Sequence, residues 1–266
     1  MSAIEGSVGR DGSNSHADVK TVQKLLRSKG FNVGHPDGVC GSRTVTAIET
    51  FQHGFLRRPD GRVDPDGKTW THLASATPAP VTKNDTLTRK LPRPDLTTIN
   101  AGLTFVDNAY MVSAFGHPRV EQDYEANGQS LTNPRLKRNA VTLSVGPFRV
   151  TGLRPAVMSL QTILQEVCAL QPEVYAGLGT RGMLNVRWVR GSTTAISNHS
   201  FGTAIDLTIN GDLDKRGDDL VQYGLMLIAP IFNRHRWFWG AGFRTEDAMH
   251  FEASRGLVES WRSSIV

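Results

Sequence analysis

Apolar residues recur at three- and four-residue intervals in two stretches near the N-terminus: Val19, Val22, Leu25 and Leu26, then Val45, Ile48, Phe51 and Phe55. That period puts one apolar stripe on each of two amphipathic helices. Asp18 is expected to cap the first and Gly30 to end it. Asp37-Gly38 and Asp60-Gly61 mark turns, and Trp70 with Leu73 after Asp66-Gly67 predicts a short third helix. The polar, proline-containing run from Ala76 to Asp85 then reads as a connection. The pattern therefore predicts a small all-α, three-helix domain over residues 1–75 and a linker over 76–95.

Beyond Leu91 the period changes. Val141, Leu143 and Val145 alternate as a strand does, and Phe148 and Val150 continue after Gly146-Pro147. Val157, Leu160, Ile163, Leu164, Val167 and Cys168 share one helical face behind Pro155, a residue tolerated in a first turn. A later helix is expected to begin at Asp218 and to carry Val221, Leu225, Ile228 and Phe232. Strands and helices in this order predict an α+β domain over 96–266 with a mainly antiparallel sheet.

Composition narrows the setting. The 266 residues are 39% hydrophobic and 21% charged, an ordinary globular balance with room for two domains. A net charge of +5 favours approach to anionic surfaces without choosing among nucleic acid, lipid headgroups and wall polymers. The basic residues are scattered and no recognition motif accompanies them, so nucleic acid is not an expected partner. The first twenty residues hold no apolar run of signal-peptide length, and no later stretch approaches a membrane span. Synthesis in a cytoplasm, without membrane insertion, is the resulting expectation. Cys40 and Cys168 lie far apart and are read as free, non-catalytic thiols. Asp212, Asp214 and Asp218 lack the glutamate that a calcium loop has at its twelfth position, and are read as a solvated acidic loop with a helix cap.

The chemistry concentrates in two segments, Ser197-Asn198-His199-Ser200-Phe201-Gly202-Thr203-Ala204-Ile205-Asp206 and Asp247-Ala248-Met249-His250-Phe251-Glu252. His199, Asp206 and His250 make a three-ligand set of the kind that holds catalytic zinc, leaving a fourth position for water, and Asp247 is the spare acid that would serve as base. If Ala204–Ile209 is extended, Asp206 shares a face with Ala204 and Thr208, and a turn at Gly202 lets His199 swing back to it. If Met249–Glu252 is also extended, Glu252 sits behind His250 as an acceptor for its ring N–H. His16, His35, His53, His72, His117 and His235 have no such partners and are read as structural. Trp237, Phe238 and Trp239 suit a core better than a sugar platform.

These motifs are similar to the Ser-x-His-x-x-Gly-x-Ala-x-Asp and Asp-x-x-His signatures of the zinc D-alanyl-D-alanine carboxypeptidase family, which includes phage L-alanyl-D-glutamate endopeptidases. The similarity runs from about Asn100 to Glu252 and takes in Gly182–Arg187 and Trp239–Phe243. It implies zinc on His199, Asp206 and His250, Asp247 as acid/base, and substrate contacts from Ser197 and Trp239. It also implies an oxyanion partner in Arg187, with Arg190 as the alternative. Some relatives carry Glu where this chain has Asp247, and the shorter side chain resembles the endopeptidase branch. The N-terminal segment resembles the peptidoglycan-binding domain family through Asp18-Val19, Gln23, Leu26, Gly30-Phe31, Asp37-Gly38, Gly41, Thr44, Ala47-Ile48, Phe51-Gln52, Asp60-Gly61 and Thr69-Trp70.

Together the resemblances imply a two-domain phage-type endolysin: a monomer, made in the host cytoplasm without a signal peptide. After release it would act on the wall, the first domain holding peptidoglycan while the second hydrolyses a stem-peptide amide. The L-alanyl-D-glutamate bond is the expected target. A D-alanyl-D-alanine carboxypeptidase and a non-catalytic wall-binding protein stay open as alternatives.

Overall fold

The computed structural model describes residues 4–29, 31, 33–52, 56, 58–74 and 85–265. Gly30, His53, Phe55 and residues 76–84 of the expected linker lie outside the described residues. The chain divides into two compact units, Met1–Val81 with Leu164–Ala176 and Thr82–Ile163 with Gly177–Val266.

The N-terminal segment contains β1 (Val8–Gly9), α1 (His16–Ser28), α2 (Ser42–Gln52), β2 (Arg62–Val63) and α3 (Lys68–Ala74). It is not all-α as expected, because Val8 and Gly9 pair antiparallel with Val63 and Arg62. Strands of two residues carry no readable period. Val19, Val22, Leu26, Ile48, Phe51 and Leu73 are buried together, as the helical spacing predicts. The cap of α1 is Ser15 rather than Asp18. The Ser15 hydroxyl accepts from Asp18 N, and Asp18 sits at the third helical position with its carboxylate on Glu5 N and Gly6 N. Only the first half of a capping box is present, because the Asp18 carboxylate serves Glu5 N and Gly6 N, but the acid still stands where the helix dipole favours one.

Two glutamines repeat one device. Gln23 on α1 donates to Asp37 Oδ1, Val39 O and Thr44 Oγ1 and accepts from Gly38 N. Gln52 on α2 donates to Asp60 Oδ1, Arg62 O and Thr69 Oγ1 and accepts from Asp60 N and Gly61 N. Each amide thus fastens the Asp-Gly turn ahead of the next helix and the threonine that opens that helix. Gln52 is fully buried, and a leucine there leaves buried backbone groups unpaired, at about 1–3 kcal/mol for each. Gln52→Leu is expected to lower stability by about 2–4 kcal/mol. Thermal denaturation of the full chain, with faster hydrogen exchange at Asp60 and Gly61, checks this; unchanged exchange there refutes it.

The second unit begins inside the expected linker. α4 (Asp85–Thr88) and β3 (Lys90–Pro92) lie there, and β3 pairs antiparallel with β9 (Leu220–Gln222), Leu91 facing Val221. This pairing also displaces the helix expected at Asp218: it starts at Tyr223, as α9 (Tyr223–Arg234), because Val221 belongs to a strand. A partner 130 residues away overrides the local period.

Between these lie α5 (Asn108–Phe115), α6 (Pro134–Asn139), the hairpin β4 (Ala140–Ser144) and β5 (Arg149–Leu153), α7 (Arg154–Leu170) and α8 (Pro172–Gly177). The sheet that matters for chemistry comprises β6 (Leu178–Gly182), β7 (Ala204–Ile209), β8 (Asp212–Leu213), β10 (Trp237–Trp239) and β11 (His250–Ala253), and α10 (Arg255–Trp261) follows it. Its order is β10-β11-β7-β6, with β8 on the end of β7, and every pairing in it is antiparallel. The mixture of helices with antiparallel sheets agrees with the α+β expectation. Every residue of β7 except Asp206 is buried, Ile205, Leu207 and Ile209 completely. Phe232 of α9 packs on Phe251 of β11 with ring centroids 4.2 Å apart. No described helix is long and apolar enough to cross a membrane. Cys40 and Cys168 are free thiols, and burial pushes Cys168 up to about 11.

Candidate metal centre

β7 and β11 lie side by side with His250 directly opposite Asp206. Antiparallel pairing puts facing side chains on one side of the sheet, so the two groups meet without help from a loop. His199 arrives from a 3-10 turn, Asn198–Phe201, which ends at Gly202 with φ +66°. A Cβ at Gly202 would stand 2.7 Å from Leu153 N and 2.9 Å from Gly152 Cα, so only glycine fits.

The result is a compact triangle. His199 Nε2 is 3.1 Å from Asp206 Oδ1 and 3.2 Å from His250 Nδ1, and His250 Nδ1 is 3.2 Å from Asp206 Oδ1. Tetrahedral ligands at the usual zinc distances of about 2.0–2.1 Å stand about 3.3–3.4 Å apart, close to what these three atoms offer. The outward ring nitrogens are also provided for. His199 Nδ1 is 3.0 Å from Met183 O, and His250 Nε2 is 3.0 Å from Glu252 Oε2. Such partners fix which ring nitrogen turns inward, as metal-binding histidines need. Asn198 Nδ2 donates to the same Glu252 oxygen and holds it in place.

The electrostatics favour positive charge at the centre. Burial alone would raise the Asp206 carboxyl, but the two imidazoles outweigh it and hold that group well below the carboxylate range. Burial alone would lower His250, yet its hydrogen bonds to Asp206 and Glu252 push it up to about 10. The field that retains a proton there suits a divalent cation, which must displace that proton on binding. On donor chemistry, spacing and charge, the three residues fit zinc.

Asp247 stands beside the triangle in a cleft of about 420 Å³ that it shares with Arg187, Arg190, Ser197, His199, Asp206 and His250. The Asp247 carbonyl accepts from His250 N at 3.0 Å, and Asp247 N donates to Gly240 O. This turn sets the Asp-x-x-His spacing. Gly240 has to be small: a Cβ there would lie 2.5 Å from Asp247 O. Burial raises Asp247 above the usual carboxylate range, and its Oδ1 is buried with no hydrogen-bond partner among the described residues. An unpaired buried acceptor in a cleft is costly unless it serves water or substrate.

The structure thus brings together all the sequence-predicted site residues except Trp239. That side chain is completely buried, donates Nε1–H to Ala248 O and stacks on Phe251, so it has no surface to offer a substrate. Ser197 is 5% exposed at the cleft wall. Arg187 is half-buried, and burial draws it below its ordinary value while Asp206 favours its charge. Apolar wall comes from Phe105, Val106 and Phe243.

Sequence reasoning missed Arg216. Its Nε lies 3.4 Å from Asp247 Oδ2, and it lines the same cleft. It arrives on the acidic loop, which is not simply solvated as its composition suggests. Asp214 there is buried, paired with Lys90 and accepting from Gln222 N, while Glu246 holds Gly217 N. Nothing in the spacing ties residue 216 to residue 247, so no motif could have found it. Arg216→Ala is expected to leave metal content unchanged and lower kcat about tenfold, because Asp247 loses the contact that orients it. Kinetics with zinc analysis checks this, and an unaltered kcat contradicts it.

Two stretches match protein-family models. Residues 15–73 match a peptidoglycan binding domain, and residues 190–253 match D-alanyl-D-alanine carboxypeptidase, a span that includes His199, Asp206, Asp247 and His250. No curated protein and no solved structure matches the chain. In this order the two family matches support a two-domain layout, a peptidoglycan-binding domain followed by a carboxypeptidase-like peptidase domain, and with it a peptidoglycan hydrolase.

Proposed function

We propose that the protein is a zinc-dependent endopeptidase that cuts the L-alanyl-D-glutamate bond of the peptidoglycan stem peptide. The observation that carries this reading is the convergence of His199 Nε2, Asp206 Oδ1 and His250 Nδ1 beside Asp247 Oδ1, which has no hydrogen-bond partner among the described residues, in one cleft. His199, Asp206 and His250 would hold the ion. When bound, zinc supplies a Lewis acid for the scissile carbonyl and a water of lowered pKa.

The chain's own groups do the rest. Asp247 takes the proton from the attacking water and returns it to the leaving amine, work for which a raised carboxyl in a sheltered site is suited. Arg187 faces the negative charge that grows on the carbonyl oxygen, and Arg190 is the alternative. Ser197 lies on the wall where the peptide would pass. The N-terminal domain keeps the enzyme on its polymer and raises the local substrate concentration. An endolysin role, with synthesis in the host cytoplasm and action on the wall after release, belongs to the same proposal.

The family description favours a second reading, a D-alanyl-D-alanine carboxypeptidase trimming stem termini. Mass spectrometry of products released from defined peptidoglycan separates the two. New L-alanine carboxyl and D-glutamate amino ends support the endopeptidase, and free D-alanine with cross-links intact supports the carboxypeptidase. If neither appears with zinc-loaded protein, hydrolysis itself is refuted.

A further inference from the structure

The outer face of α1 carries Lys20, Lys24 and Arg27, one on each successive turn and all exposed. At 1.5 Å per residue they span about 10 Å of one edge. None of the three forms an ion pair among the described residues, whereas Arg10 and Arg62 of the same domain are paired with Glu49 and Asp64. They line a shallow groove of about 550 Å³ with Ser28, His35 and Pro36, and among the described residues no acid lines it. The nearest acid in sequence, Asp37, turns its carboxylate to Gln23 Nε2 and Val39 N. Unpaired cations at helical spacing beside a recess are poised for an anionic ligand, and their methylene stems with Pro36 supply an apolar wall.

We infer that this groove binds the free carboxylates of a peptidoglycan stem peptide. The inference rests on the proposed wall-binding role and names the face and the chemistry through which it acts. The three charges follow one short line, which suits a peptide bearing carboxylates a residue or two apart. The recess has room for a few residues rather than for a long chain, and its apolar wall suits the methyl groups of alanine. Contacts of this kind are exposed and individually weak, so the stripe works by summing them and is sensitive to salt.

The test uses the full chain carrying Asp247→Ala, which keeps the wall intact during binding. Lys20→Glu, Lys24→Glu and Arg27→Glu are combined on that background; all three are surface positions away from the core. The probes are purified sacculi stripped of phosphate polymers, a soluble stem tetrapeptide, and the same tetrapeptide with its carboxylates amidated. The triple variant is expected to bind sacculi about tenfold more weakly and with a shallower salt dependence. The parent protein is expected to prefer the free-acid peptide to the amidated one. Equal binding by parent and triple variant, or equal binding of the two peptides, overturns the inference. Binding that needs phosphate polymers on the wall overturns it too and points to a different anion. Failure of the parent to bind any sacculus strikes at the wall-binding role itself, a result distinct from the others.

Discussion

Asp247→Ala is expected to leave zinc binding at full stoichiometry while kcat falls about a hundred- to ten-thousand-fold, the usual contribution of a positioned general acid/base. Separation of the two effects is the informative part. Asp247 is not one of the three convergent donor atoms. Its Oδ2 is turned to Arg216, its Oδ1 has no partner among the described residues, and its backbone is pinned to Gly240 and His250. Removing the carboxylate should therefore disturb neither the strand pairing of His250 with Asp206 nor the triangle. Zinc analysis after dialysis, with single-turnover hydrolysis of purified peptidoglycan, reads both quantities. A variant that hydrolyses at the parent rate removes Asp247 from the chemistry, and one that loses zinc makes it part of the metal's support instead.

His199→Ala should behave differently, losing metal and turnover together. Deleting this imidazole removes one corner of a triangle whose edges are 3.1–3.2 Å and leaves two donors, too few to hold zinc in a closed geometry. Loss of a hydrogen-bond partner behind a ligand costs roughly 10–100-fold in affinity, so loss of the ligand itself should cost more. The parent is expected to gain thermal stability when zinc is added, since the ion binds only the assembled site, and His199→Ala should gain none. A variant that still takes up one zinc per chain, or that is still stabilised by zinc, would mean that the ion sits elsewhere.

How much of this was legible in the sequence depends on the range of the interaction concerned. Helical stripes such as Val19-Val22-Leu26 and Val157-Leu160-Ile163 announce themselves, because burial of one helix face is a local and periodic requirement. Motifs whose spacing is set by one turn are equally visible: Gly202 lets His199 double back toward Asp206, and Asp247 closes a turn onto His250. Trp239 carries two expectations, a core side chain from its apolar run and a substrate contact from the resemblance, and only the packing decides for the core. An aromatic beside a glycine-rich turn looks the same in sequence whether it faces a cleft or a core, and here it stacks on Phe251.

The sequence by itself determined which residues could bind a metal, that the apolar stripes Val19–Leu26 and Val157–Val167 would lie on helices, and where acid and imidazole would be paired, since each follows from side-chain chemistry and short-range geometry. The tertiary structure alone decided that β3 pairs with β9, that Lys90 neutralises a buried Asp214, and that Arg216 comes to rest on Asp247. Those contacts join residues 31 to about 130 positions apart, chosen by the packing of whole elements, and no local pattern along the chain encodes which distant group a charged side chain will meet.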